Sequence, residues 1–170
     1  RPDESLPRRM DMHASTVGWR MVNEKFPAHW VRSLGDCAES SADEYGIGRD
    51  EQDEWALRSH QRAHAAWQDG LHSDYVMRVG ELQLDESIRP DTSAQALAAL
   101  PPAYTSYGTV AAGNSSPLND GAVAMLVGTR EAGESLGLRP FGRVVTSAVV
   151  ATEPDRFAIA PVEAINRAVA

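Results

Sequence analysis

Apolar residues in this chain come in short, interrupted runs, and turn formers mark where each run stops. Residues 36–45 predict a short helix closed by Gly46. Residues 50–68, "DEQDEWALRSHQRAHAAWQ", predict the longest helix: acidic residues suit its positive end and Gly70 stops it. Ala56, Ser59, Ala63 and Ala66 recur on it at three- and four-residue spacing, a small-residue face that allows close packing. Residues 75–84 alternate weakly around Gly80 and read as a short hairpin. A short helix over 93–100 ends at Pro101 and Pro102, and another over 130–136 ends at Gly137.

Two segments read differently. Residues 121–127, a run of small apolar side chains bounded by turn residues, fit a strand buried on both faces, although periodicity alone also allows a buried helical segment. "FGRVVTSAVVA", residues 141–151, is β-branched and predicts a strand. Pro161 then suits the first turn of a helix, on which Ala164, Ile165, Ala168 and Val169 repeat at helical spacing. Strand, helix, strand, helix points to an α/β core, preceded by about a hundred residues dominated by loops and helices. The chain opens in a polar, proline-bearing loop without an initiating Met, and its last apolar pattern is still running at Ala170, so it reads as a piece of a longer protein.

A net charge of −8 argues against nucleic acid or an anionic membrane as the main partner. No apolar run approaches membrane length and no signal peptide is visible; with Cys37 as the single cysteine, a reducing, cytoplasmic setting is expected. Cys37 lies near a helix start, which favours a thiolate, but Asp36 and Glu39 oppose it, so it reads as a buried or half-buried thiol. His60 and His64 share a helix face, yet no third ligand accompanies them; solvated polar residues describe them better and no metal is expected. Trp55 and Trp67 read as packing anchors, and Asp85 with Glu86 as a solvated loop before Arg89. None of these groups forms an active site.

The segment "AGNSSPLNDG", residues 112–121, is too rich in turn formers for helix or ladder, and it runs straight into the apolar stretch. A loop rooted that way can aim hydroxyls and backbone N–H groups at a ligand. With its flanks it reads "YGTVAAGNSSPLNDGAVAML", which resembles the thiolase signature G-T-V-T-A-G-N-A/S-S-x-x-N-D-G-A-A-A. Three further stretches resemble thiolases in family order: "SLGDCAESSADEYGIGRDEQDEWALRSHQRAHAA", "DESIRPDTS" and "LGLRPFGRVVTSAVVATEPDRFAIAPVEAINRAV". The likeness extends from about Ser15 to the last residue.

The resemblance implies a layered α/β/α core, present here in part, with an inserted loop domain rich in helices. Residues 1–114 would be the loop domain that covers coenzyme A, 115–136 the end of the first core half, and 137–170 the start of the second. It implies that the loop "AGNSSP" lies along the pantetheine arm, with Ser116 as its hydrogen-bonding hydroxyl and Ala112, Gly113 and Asn114 shaping it. Pantetheine carries two amides on a slender chain and suits a tunnel with a few fixed polar groups. Gly113 lets backbone come close, and Asn114 can brace the turn through its side chain.

By the same resemblance Arg89 lies beside the nucleotide, the alternative being an ion pair with Asp85 or Asp91. Tyr104 would line the pantetheine channel, and Ser33 and Leu34 the acyl pocket; Tyr104 and Leu34 also fit as core. Ser33 stands where acetoacetyl-CoA-forming thiolases commonly carry His, which points to a degradative 3-ketoacyl-CoA type, acting on medium-chain or aromatic-pathway substrates. Family chemistry needs a nucleophilic cysteine, an activating histidine and a second cysteine. None of their motifs is present here, so no catalytic residue is assigned. Three readings follow: part of a thiolase, with coenzyme A as substrate, no separate cofactor, and self-association as a dimer or tetramer; a non-catalytic coenzyme A-binding fragment; or a thiolase-like lipid carrier.

Overall fold

A computed structural model of the chain describes residues 25–170. The opening loop and the start of the family likeness near Ser15 lie outside the described residues. Five helices follow in order: α1 (Leu34–Tyr45), α2 (Arg49–Gln68), α3 (Ala94–Ala98), α4 (Arg130–Ser135) and α5 (Ala160–Val169). Two single 3-10 turns, Ala28–Trp30 and Pro154–Arg156, complete the regular structure among the described residues.

Helix boundaries follow local chemistry. Ser33, Ser93 and Thr129 each accept a hydrogen bond from the backbone N–H three residues on, which satisfies one of the donors a helix start leaves unpaired. At the start of α2 the Glu51 carboxylate reaches back to the Gly48 N–H at 3.3 Å. Gly46, Gly70 and Gly137 stop or follow helices at φ of 66°, 68° and 68°, a left-handed conformation in which a side chain is strained. The hairpin expected over 75–84 is reduced to one antiparallel bridge, Val79 with Leu82, turned by Gly80 at φ 59°.

Packing centres on the N-terminal half. α2 lies against α3, and the turn at Pro154–Arg156 lies against both α1 and Ala28–Trp30. Arg156 grips Glu44 with two hydrogen bonds, at 2.9 and 2.7 Å, and the Trp30 indole donates to Glu153 at 3.3 Å. Among the described residues the buried apolar ones are Cys37, Ala42, Ala56, Leu97, Val110 and Ala111. On α2 the packed face runs through Asp53, Ala56, His60, Ala63 and Trp67; Ser59, expected on it, is exposed. His60 is half-buried rather than solvated, and its Nδ1 accepts the Arg89 N–H at 3.2 Å. Of the two tryptophans on this helix, Trp67 packs at a tilt against the His72 ring, centroids 4.9 Å apart, whereas Trp55 is exposed with the Arg58 guanidinium 4.5 Å above it.

The strands expected at 121–127 and 141–151 are not formed. A strand exists only within a ladder, because its N–H and C=O groups need a facing strand, and among the described residues none lies alongside either segment. Their side chains stand in solvent instead, with Val123 92% and Phe141 100% exposed, so neither a strand nor a helix buried on both faces is present. Among the described residues no helix is long and apolar enough to cross a membrane.

Candidate functional site

The loop 109–116 is fixed from beneath by polar side chains of α1 and α2. Glu39 of α1 uses both carboxylate oxygens. One accepts the Thr109 N–H and hydroxyl at 2.9 and 3.1 Å, and the other accepts the Val110 N–H at 2.9 Å. Gln52 of α2 donates to the Thr109 hydroxyl at 2.8 Å and to the Ile47 carbonyl at 3.2 Å. Asp53, also on α2 and only 6% exposed, accepts from the Asn114 amide at 3.0 Å and from Arg49 Nε at 2.7 Å. The Arg49 guanidinium continues to the carbonyls of Leu97 and Leu100 at 2.6 and 3.1 Å, which ties α3 into the same network.

Asn114 braces the turn from inside. Its carbonyl oxygen accepts the Ala111 N–H at 2.7 Å, and its amide also donates to the Thr109 carbonyl at 3.0 Å. Gly113 is needed for a steric reason: a Cβ there would come within 2.5 Å of Leu97 Cδ2 and 2.6 Å of Leu100 Cδ1. The base of the loop is closed by the Pro102–Ala111 bridge, with the Ala103 N–H donating to the Val110 carbonyl at 2.9 Å. Beyond Asn114, Ser115 places its hydroxyl out of water with no hydrogen-bond partner among the described residues, and Ser116 is exposed.

The remaining expected residues fall into two groups. Tyr104 rests its ring on the bare Cα of Gly35 in the first turn of α1, so a methyl group there would overlap it. Ser33 and Leu34 open that same helix. The Ser33 hydroxyl accepts the Asp36 N–H at 3.1 Å and donates to the Asp36 carboxylate at 2.6 Å, while Leu34 is 67% exposed. Tyr104 thus links the first turn of α1 to the loop, since Ala103, next to it, is bonded to Val110. Arg89 stands apart. It is exposed, makes no ion pair with Asp85 or Asp91, and is anchored by its backbone to His60. His60 lies seven residues beyond Asp53 on α2, roughly 10 Å along the helix axis. Asp85 is occupied with its own turn: the Ser87 hydroxyl and N–H hold its carboxyl below the usual range.

Sequence reasoning missed Glu39, Arg49, Gln52 and Asp53 as loop anchors. The signal for Asp53 was its register, three residues before Ala56 on the packed face of α2.

Cys37 is 2% exposed, and burial pushes its thiol above the ordinary value. Asp155 and Asp36 add to that rise, against the opposing charge of Arg32. At neutral pH the group is a protonated thiol, without the character of a nucleophile. Labelling with a disulfide reagent should be slow in the native protein and rapid after unfolding; equal rates in the two states would refute the assignment.

Comparison with known proteins gives this architecture a class. Residues 9–131 match the model of the thiolase N-terminal domain. The 3-ketoacyl-CoA thiolase of Bacillus subtilis is 39% identical over 162 residues, covering 85% of this chain and 41% of that protein. The beta-ketoadipyl-CoA thiolase of Pseudomonas putida is 35% identical, covering 97% of this chain and 44% of its own length. In structure, the Bacillus anthracis acetyl-CoA acetyltransferase matches with a TM-score of 0.73 at 35% identity, over 84% of this chain and 38% of that one. The chain belongs to the thiolase family and shares its fold. It spans about two fifths of the length of the curated relatives it matches.

Proposed function

We propose that this chain is the coenzyme A-covering part of an acyltransferase that carries out thiolysis of a 3-ketoacyl-CoA. In that reaction the coenzyme A thiol takes up the acyl group, giving acetyl-CoA and an acyl-CoA shortened by two carbons. The observation that carries the reading is the loop 109–116. Its base is locked to two helices, while Ser116 is exposed at its outer end. A slender ligand with amides at intervals suits such a ledge.

Placement of the other groups supports an elongated ligand. Tyr104 packs on the first turn of α1, which Ser33 and Leu34 open, in keeping with an acyl pocket there. Arg89, tied by its backbone to His60 of α2, has an exposed guanidinium without an ion pair among the described residues, suited to phosphate or adenine. The cysteine and histidine motifs of family chemistry match nothing in this sequence, and Cys37 is buried, so the reacting groups come from outside these residues. Ser33 in place of a histidine favours the degradative direction. Cytoplasmic location and assembly as a dimer or tetramer belong to the same proposal.

Ser116→Ala in the full-length protein should raise the KM for coenzyme A about fivefold, the effect of one ordinary hydrogen bond. An unchanged KM would remove Ser116 from the ligand site.

A further inference from the structure

Two carboxylates from different helices hold the loop, and neither belongs to the ligand contacts proposed above. Glu39 grips consecutive backbone positions, 109 and 110. Asp53 is buried and grips the side chain of Asn114, which in turn holds residues 109 and 111. Asn114 by itself is enough to close a turn of this kind. A carboxylate removed from water is unfavourable unless donors meet its charge, and Asp53 is met by the Arg49 guanidinium and one amide.

Orientation is what the added clasps supply. The N–H groups of residues 109, 110 and 111 are all engaged inward, so the chain emerges at Gly113–Ser116 in a fixed direction. At the end of that course the buried Ser115 hydroxyl has no partner among the described residues. Among the described residues that hydroxyl is an unsatisfied buried donor at the edge of the loop.

We propose that Glu39 and Asp53 are positioning residues for coenzyme A. They set residues 113–116 in the ligand-ready geometry before the ligand arrives, through two separate clasps, and neither touches the ligand. The inference rests on the coenzyme A reading of the loop given above. Its physical content is preorganisation: a ledge already ordered loses less freedom on binding, so affinity falls when the clasps are loosened.

The test measures coenzyme A affinity by titration calorimetry in the full-length protein. Glu39→Gln keeps the length of the side chain and the helix but replaces two carboxylate acceptors by one amide oxygen. Asp53→Asn keeps shape and one acceptor while removing the charge that meets Arg49. Each variant should weaken coenzyme A binding about fivefold. Adding Ser116→Ala to Glu39→Gln should weaken it further by less than Ser116→Ala does alone, because the hydroxyl is already displaced.

Lower melting temperatures with unchanged affinity, and a full Ser116→Ala effect in the Glu39→Gln background, would overturn the inference and leave the clasps as stability elements. If Asp53→Asn fails to fold, Glu39→Gln decides alone, since it lies on a different helix. Wild-type protein that does not bind coenzyme A would overturn the ligand reading and this inference together. Binding by wild type with unaffected variants overturns only this one.

Discussion

Leu97→Ala is expected to destabilise the full-length protein by about 3 kcal/mol. Leu97 is 3% exposed, the most buried large apolar side chain among the described residues, and its Cδ2 lies against the backbone of Gly113. Truncation removes apolar contact and leaves a cavity, and the facing glycine has no side chain with which to fill it. The loss should therefore fall within the range for such changes. A size exchange makes the test specific. Gly113→Ala in the Leu97→Ala background should return part of the stability, because the new methyl group enters space that Leu97 vacates. The return is partial, since Leu100 Cδ1 still crowds the position at 2.6 Å. Denaturant melts of the single and double variants decide it. A double variant less stable than Leu97→Ala would show that the loop and α3 do not pack as described.

Asp53→Ala is expected to cost about 3 kcal/mol as well, for an electrostatic reason. Removing the carboxylate strands two groups, the Arg49 guanidinium and the Asn114 amide, both drawn in from solvent by that contact. Arg49 keeps the carbonyls of Leu97 and Leu100, and its side chain is 21% exposed, so the loss should stay near the lower end for broken buried pairs. Asp53→Asn should lose clearly less, because an acceptor oxygen remains for Asn114. Equal melting temperatures for Asp53→Ala and wild type would mean that the network carries no net stability.

These two positions show what could and could not be read from the order of residues. Helix ends were legible because their causes are local: a serine or threonine cap lies three residues from the N–H it serves, and Gly46, Gly70 and Gly137 sit where helices stop. The loop was legible for the same reason, since turn formers cluster from Ala112 to Gly121. Its anchors were not. Glu39 meets Val110 across 71 positions, and Asp53 meets Asn114 across 61, distances over which periodicity carries no information. Asp53 looks, in a list of residues, like one more charge on an acidic helix.

The strand expectations failed through the same non-locality, in the opposite direction. "GAVAMLV" and "FGRVVTSAVVA" have the composition of strands, and composition describes what a segment would do beside partners. Among the described residues no partner is alongside. The α/β layering thus remains a property the family fold implies, while the helical part with its loop is what these residues build by themselves.

Those two bare segments also bear on how the protein survives its own synthesis. A stretch such as Met125, Leu126 and Val127, more than 80% exposed, is adhesive whenever its covering is absent, and a newly made chain passes through such a moment. Charge flanks both stretches: Asp120 precedes the first and Arg130 follows it, while Arg139 and Arg143 stand at the start of the second and Glu153 beyond its end. Ionised groups at the borders of an apolar run oppose the stacking of identical chains, because each added copy would bring like charges together. The charged residues at the borders of these two apolar segments therefore oppose the stacking of copies while the segments are uncovered.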